Sequence, residues 1–183
     1  APGWGGRGGG GCGAGGGLWA VGGECGVLMG AVGRGFVSER FLSAVVIGAA
    51  LVAECGAEVQ QEAILARVAG GALTLAFAQS ERAARFDLAH VDTTATKTAG
   101  GWRLNGSKIA VLDGAAAGQI IVSARVANAN GASGKLALFL VPTGAPGLTL
   151  RDYARLGGGR GCNLDPRDVQ LPADALLGDG SDA

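Results

Sequence analysis

The sequence predicts an α+β protein, a partial N-terminal α-helical bundle followed by an antiparallel β-barrel or sandwich domain. Three observations carry the prediction. Up to about residue 77 apolar residues recur at three- and four-residue steps. Beyond residue 78 the period shortens to two, and turn residues then arrive at intervals too short for a crossover helix. With 183 residues, 48% of them apolar, and a mean hydropathy of +0.32, the chain can build one good core or two small ones.

Residues 1–17 contain eleven glycines, whose backbone entropy opposes both helix and strand, so this segment is expected to be irregular. From Leu18 the positions Leu18, Val21, Cys25, Leu28, Met29 and Val32 mark a buried helical face. Gly22, Gly23, Gly26 and Gly30 weaken that helix by about 1 kcal/mol each relative to Ala. Ser38 can cap a second helix from about Glu39 to Glu54, apolar nearly all round, which Gly56 would end in a left-handed conformation. A third helix over 58–68 presents Val59, Ala63, Ile64 and Val68 on one face and stops at Gly70-Gly71. The change of period puts a boundary near 77–81, giving an irregular segment 1–17, a partial helical domain 18–77 and a β-domain 78–183.

Strands are expected at 91–97, 102–104, 108–112, 119–126, 136–141, 148–153 and 169–171, joined by short loops such as 128–134. Asn105-Gly106 lies between two apolar segments and tolerates the positive φ angles of a type I′ turn, which predicts a tight hairpin there. Trp102, Ile109, Val111, Ile121, Leu138 and Leu140 read as barrel core. Pro166 is anomalous beside a strand that should pair.

Fifteen basic and fifteen acidic residues cancel without clustering, which leaves no electrostatic footprint for nucleic acid or an anionic membrane. The longest apolar run, 44–53, is about half of what a bilayer crossing needs, so no membrane span and a cytoplasmic protein are expected. No Met and no basic-then-apolar leader opens the sequence, which therefore reads as a fragment at its N-terminal end. Twelve Arg against three Lys, with abundant Gly and Ala, suggests a GC-rich, bacterial coding sequence. Cys12, Cys25, Cys55 and Cys162 lack CxxC spacing and His90 is the single histidine, so no metal site is expected; the cysteines read as scattered thiols and His90 as a surface residue. Gly8-x-Gly10-x-x-Gly13 meets the dinucleotide pattern but follows no strand, and Gly134-Lys135 lacks the rest of a phosphate loop.

Several motifs resemble the acyl-CoA dehydrogenase family over about residues 27–183. Gly33-Arg34-Gly35-Phe36-Val37, Phe41-Leu42-Ser43 and 64–71 resemble segments of that family's N-terminal helical domain. The run 101–108, the run 168–178, Leu138-Phe139-Leu140-Val141-Pro142 and Gly147-Leu148-Thr149 resemble its middle β-domain. Ala76-Phe77-Ala78-Gln79-Ser80-Glu81 stands where the family has a run ending in Thr-Glu-Pro. Glu81-x-x-x-Arg85-Phe86-Asp87-Leu88 is similar to small subunits of two-component enzymes of the pimeloyl-CoA type.

The resemblance implies an FAD flavoprotein, an oxidoreductase of acyl-CoA catabolism that converts an acyl-CoA thioester to the trans-2-enoyl-CoA. It implies homo- or hetero-oligomers, with a non-catalytic partner subunit as the alternative role. It places Phe77, Gln79, Ser80, Ala110 and Leu112 at the cofactor, and Arg85 and Phe86 toward the acyl-CoA. The family's catalytic base lies in a C-terminal helical domain that this chain lacks, so no residue here is expected to be catalytic and the isolated chain is expected to be inactive. Arg82 replaces the family's Pro, and Ala110 and Leu112 replace an aromatic residue and a hydroxyl that faces the flavin. Losing that one hydrogen bond would cost roughly 1.5–3 kcal/mol.

Overall fold

The computed structural model describes residues 22–35, 40–85, 87, 89–127 and 133–178. The glycine-rich segment 1–17, Leu18, Val21, Ser38, Phe86 and most of the 128–134 loop lie outside the described residues, as do the side chains of 22–25. The chain is α+β. Its helices are α1 (Gly22–Arg34), α2, which opens as a π-helix over Leu42–Ala49 and continues as an α-helix over Ala50–Cys55, and α3 (Glu58–Ala69).

α2 packs directly on the sheet because Gly48 has no side chain: a Cβ there would come within 2.6 Å of the Leu75 Cβ. α3 is fastened by Gln60, which uses its full hydrogen-bonding capacity. Its Nε2 donates to the carbonyls of Asp174 (2.9 Å) and Leu176 (2.8 Å), and its Oε1 accepts from the amides of Ala57 (3.1 Å) and Gly178 (2.9 Å).

Among the described residues nine strands form two sheets: β1 (Leu75–Ala78), β2 (Thr94–Thr98), β3 (Gly101–Asn105), β4 (Lys108–Leu112), β5 (Gln119–Ala127), β6 (Ser133–Pro142), β7 (Leu148–Ala154), β8 (Arg160–Pro166) and β9 (Val169–Pro172). The larger sheet runs β1-β5-β2-β3-β9, with β6 on the other flank of β5; the smaller is β4-β8-β7. Alternation along β5 then makes two cores. Ile120, Val122 and Ala124 face the smaller sheet with Trp102, Leu104, Val111, Phe139 and Leu164. Ile121 faces the helices, with Ala49, Val52, Ile64, Leu65, Leu75, Leu138 and Leu140.

Several expectations are corrected. Asn105-Gly106 does not close a hairpin: β3 pairs with β2 and β9, whereas β4 pairs with β8 in the other sheet. The two residues carry the chain from one sheet to the other, held by the Gly106 amide on the Pro166 carbonyl (3.1 Å) and by Asn105 on Asp168 (3.0 and 2.8 Å). A Cβ on Gly106 would collide with Thr93, so glycine here answers a close approach. The tight hairpin is instead β2–β3, across Ala99-Gly100.

The sheet is not wholly antiparallel, because β1 and β2 both pair parallel with β5, the connection between β2 and β5 running through β3 of the same sheet and β4 of the other. β1 and β8 were absent from the expected strands. Pro166 ends β8 opposite Leu148, where its carbonyl is used and its missing donor costs little.

Among the helices, α1 is not a buried face: Val27 is 71% and Leu28 46% exposed. On α3 the inward residues are Ile64 and Leu65, while Val59 is 79% exposed and Ala63 is exposed too. Gly56 is extended (φ −76°, ψ 147°), not left-handed; a Cβ there would press on the Val52 carbonyl. α3 does stop at Gly70-Gly71, Gly71 taking φ 70°. Among the described residues no helix is long and apolar enough to cross a membrane.

Candidate functional site

Strict alternation along β4 would put Lys108, Ala110 and Leu112 on one face and Ile109 and Val111 on the other. The observed strand breaks that pattern. Lys108 pairs with Leu164 and Val111 with Cys162, so Ile109 and Ala110 together oppose the single residue Asn163, which is a β-bulge. Lys108 and Val111 therefore turn inward and are buried, while Ile109, Ala110 and Leu112 turn outward. Ala110 takes φ 56°, a left-handed conformation that costs a residue with a Cβ about 1–2 kcal/mol. Its amide donates to the Asn163 Oδ1 at 3.2 Å.

The outward residues of the bulge form one wall of a cleft of about 150 Å³, lined also by Ser43 and Ile47 of α2, Phe77 of β1, and Gln79 and Ser80 just beyond β1. Two contacts bind the walls together: the Ile109 amide donates to the Ser80 carbonyl (2.8 Å), and the Lys108 Nζ to the Gln79 carbonyl (3.1 Å). On the third side the Ser43 hydroxyl donates to the Asp113 Oδ2 at 2.8 Å, tying α2 to the residue after β4.

Beneath the cleft lies a buried ion pair. The Lys108 Nζ is 2.8 Å from the Glu81 Oε1 and also donates to the Ser123 Oγ (2.8 Å); Lys108 is 0% and Glu81 4% exposed. The Glu81 Oε1 accepts from the Thr93 amide (3.0 Å) and hydroxyl (2.6 Å), and the Oε2 from the Asp92 amide (2.7 Å). Those two amides are therefore spent on Glu81, and β2 starts at Thr94 rather than at 91. Burial pushes the Glu81 carboxyl upward, but the bonds from Lys108, Thr93 and the Asp92 amide outweigh it and hold the group below the ordinary value of 4.5. Burial draws the Lys108 ammonium below its usual value, against the opposing pull of Glu81 and Asp92.

The pH consequence follows from Glu81. A lowered folded-state value means stability that is fully present above 4.5 and lost as pH falls through the folded value. Urea midpoints measured from pH 7 to pH 3 should fall below 4.5, and the difference between the wild type and Glu81→Gln should shrink over the same window. A constant difference down to pH 3 would contradict the assignment.

Of the residues the resemblance implies, Phe77, Gln79, Ser80, Ala110 and Leu112 meet in this one cleft. Arg85 does not line it, being exposed with φ 54°, and Phe86 lies outside the described residues. Sequence reasoning missed Ser43 and Ile47, whose only signal is their four-residue spacing on one helix. It also placed Ile109 in the barrel core, whereas the bulge brings it to the cleft. Lys108 carried no signal of its burial: strict alternation from Ile109 and Val111 as core positions sends it outward, and only the bulge turns it in.

The acyl-CoA dehydrogenase middle-domain profile matches residues 76–167. The chain is 32% identical over 134 residues to the acyl-CoA dehydrogenase FadE12 of Mycobacterium tuberculosis, covering 72% of this chain and 34% of that protein. It thus spans about a third of the length of the curated relatives it matches. Among solved structures it resembles a glutaryl-CoA dehydrogenase from Mycobacterium smegmatis in complex with FADH2, with a TM-score of 0.64 and 28% identity over 72% of this chain and 33% of that one. It also resembles the ChsE4-ChsE5 complex from Mycobacterium tuberculosis, with a TM-score of 0.67 and 25% identity over 81% of this chain and 38% of that one.

Proposed function

The chain belongs to the acyl-CoA dehydrogenase family, and we propose that its cleft is one wall of an FAD site serving α,β-dehydrogenation of an acyl-CoA thioester. The observation that carries this reading is the convergence of Phe77, Gln79, Ser80, Ala110 and Leu112, from two separate stretches of chain, on one concave surface. The donor set suits a flat, mostly apolar ring with a polar rim: Ile47, Phe77, Ile109 and Leu112 offer apolar surface, and Gln79, Ser80 and Ser43 supply polar groups at its edge. When bound, the flavin supplies the two-electron acceptor for hydride leaving the thioester's β-carbon.

This chain's own residues cover one side of the ring, orient it and exclude water there. Glu81 is not the base. Glu81, the carboxylate beneath the cleft, is neutralised by Lys108 and saturated with hydrogen bonds, so it has neither the access nor the basicity to remove an α-proton. At about 150 Å³ the cleft is smaller than the roughly 300–1,000 Å³ of a complete small-molecule site, so a further domain or subunit supplies the other wall. On this reading the 183-residue chain alone turns over no acyl-CoA, and flavin reduction by an acyl-CoA added to that chain would contradict it.

The direct test is titration of the full chain with FAD, followed by flavin fluorescence. Binding should be weak, and Leu112→Thr, which places a hydroxyl on the wall, should tighten it about tenfold or more. No binding by either protein would count against the reading.

A second reading is favoured by Arg82, Ala110 and Leu112 and by the likeness to a chain of a two-protein complex. In it the chain is the small, non-catalytic subunit of a heteromeric dehydrogenase of the pimeloyl-CoA type. Flavin retained only after co-expression with a homologous large subunit would select this second reading.

A further inference from the structure

We propose that Asn163 is a positioning residue for the cleft: its side-chain carbonyl holds the Ala110 amide and so keeps β4 in the two-against-one offset that turns Ile109 and Ala110 together into the cleft wall. The bulge has three supports. Lys108 is pinned from below by Glu81, Gln79 and Ser123, and the Ile109 amide is pinned sideways by the Ser80 carbonyl. The third is the Asn163 Oδ1, which takes the amide of the one residue in the bulge that stands in a left-handed conformation.

Asn163 sits on β8 between the two residues whose pairing brackets the offset, Cys162 opposite Val111 and Leu164 opposite Lys108. Backbone pairing alone cannot satisfy an amide displaced from the ladder, and a side-chain oxygen at this register can. Without it, Ala110 is free to relax toward an extended conformation, and alternation would carry Ile109 away from the cleft.

What the cleft binds rests on the flavin reading above, whereas the role of Asn163 in holding the bulge does not. The experiment therefore has two readouts on the full chain. Amide hydrogen exchange at Ala110, measured by NMR without flavin, should speed up about tenfold or more in Asn163→Ala while that of β5 is unchanged. Asn163→Asp, which keeps an oxygen acceptor, should restore slow exchange. Ala110→Gly, which accepts φ 56° without a steric penalty, should reduce the effect of Asn163→Ala in the double variant.

FAD affinity, read by fluorescence titration, should weaken about three- to tenfold in Asn163→Ala and recover in Asn163→Asp. Unchanged exchange at Ala110 in Asn163→Ala, or Asn163→Asp behaving like Asn163→Ala, would overturn the proposal. Altered exchange with no FAD binding by any variant would uphold the role of Asn163 and reject the flavin reading.

Discussion

Replacing Lys108 with Met should destabilise the protein by about 3–5 kcal/mol, the usual consequence of stranding one member of a buried ion pair. Met has nearly the right length and fits an apolar interior, so packing loss is small and the effect is electrostatic. The Glu81 carboxylate keeps its bonds from Thr93 and Asp92 but loses the one cation paired with it among the described residues, and the Gln79 carbonyl and Ser123 hydroxyl each lose a donor. Urea unfolding of the full chain measures this loss. Adding Glu81→Gln should recover part of it: no buried charge remains unmatched and the amide oxygen still accepts from the Thr93 amide, while the Asp92 amide, which bonds the other carboxylate oxygen, loses its acceptor to the NH2 group. A loss below about 1 kcal/mol in Lys108→Met would mean that the pair contributes no more than a surface one.

Phe139→Ala should cost a comparable 3–5 kcal/mol or so, through a different mechanism. Phe139 is 0% exposed at the centre of the core between the two sheets, with its ring edge-on to Trp102 at 5.2 Å and 66°. Its removal leaves a cavity that rigid strands on both sides cannot close, and Trp102 loses its aromatic neighbour. The expected signature is a lower urea midpoint together with a weakened near-UV circular dichroism band. Val59→Ala is the contrasting control: at 79% exposure it should stay within about 0.5 kcal/mol of the parent. Equal effects from the two variants would refute the assignment of the core.

How much of this could be read beforehand depended on the range of the interactions involved. The expected strands at 108–112 and 119–126 fall on β4 and β5 within a residue, because alternation and flanking turn residues are local signals. β1 was invisible as a strand: four residues, buried on nearly every side, carry no alternation to detect. β8 was hidden by Gly161, Asn163 and Pro166, residues with poor strand propensity that are held by β4 and β7 on either flank. On α3 the helix was correct and its inward face was rotated, since Leu65 and Val59 are equally apolar and only the position of the sheet decides between them. Phe77, Gln79, Ser80, Ala110 and Leu112, which line the cleft, were singled out by resemblance to a family, not by their own chemistry.

The sequence by itself determined the α+β class, the helix-then-strand order and most strand positions, whereas Phe77, Gln79, Ser80, Ala110 and Leu112, which meet in the cleft, were marked only by resemblance to a family. Tertiary structure alone decided which strands pair, that Asn105-Gly106 crosses between sheets, that β1 and β2 run parallel to β5, and that Ile109 and Ala110 face outward together. The physical reason is that period and turn chemistry are encoded within a few residues. Pairing, the bulge and the Glu81–Lys108 ion pair depend instead on groups tens of positions apart, whose contact energies exist only once the chain has brought them together.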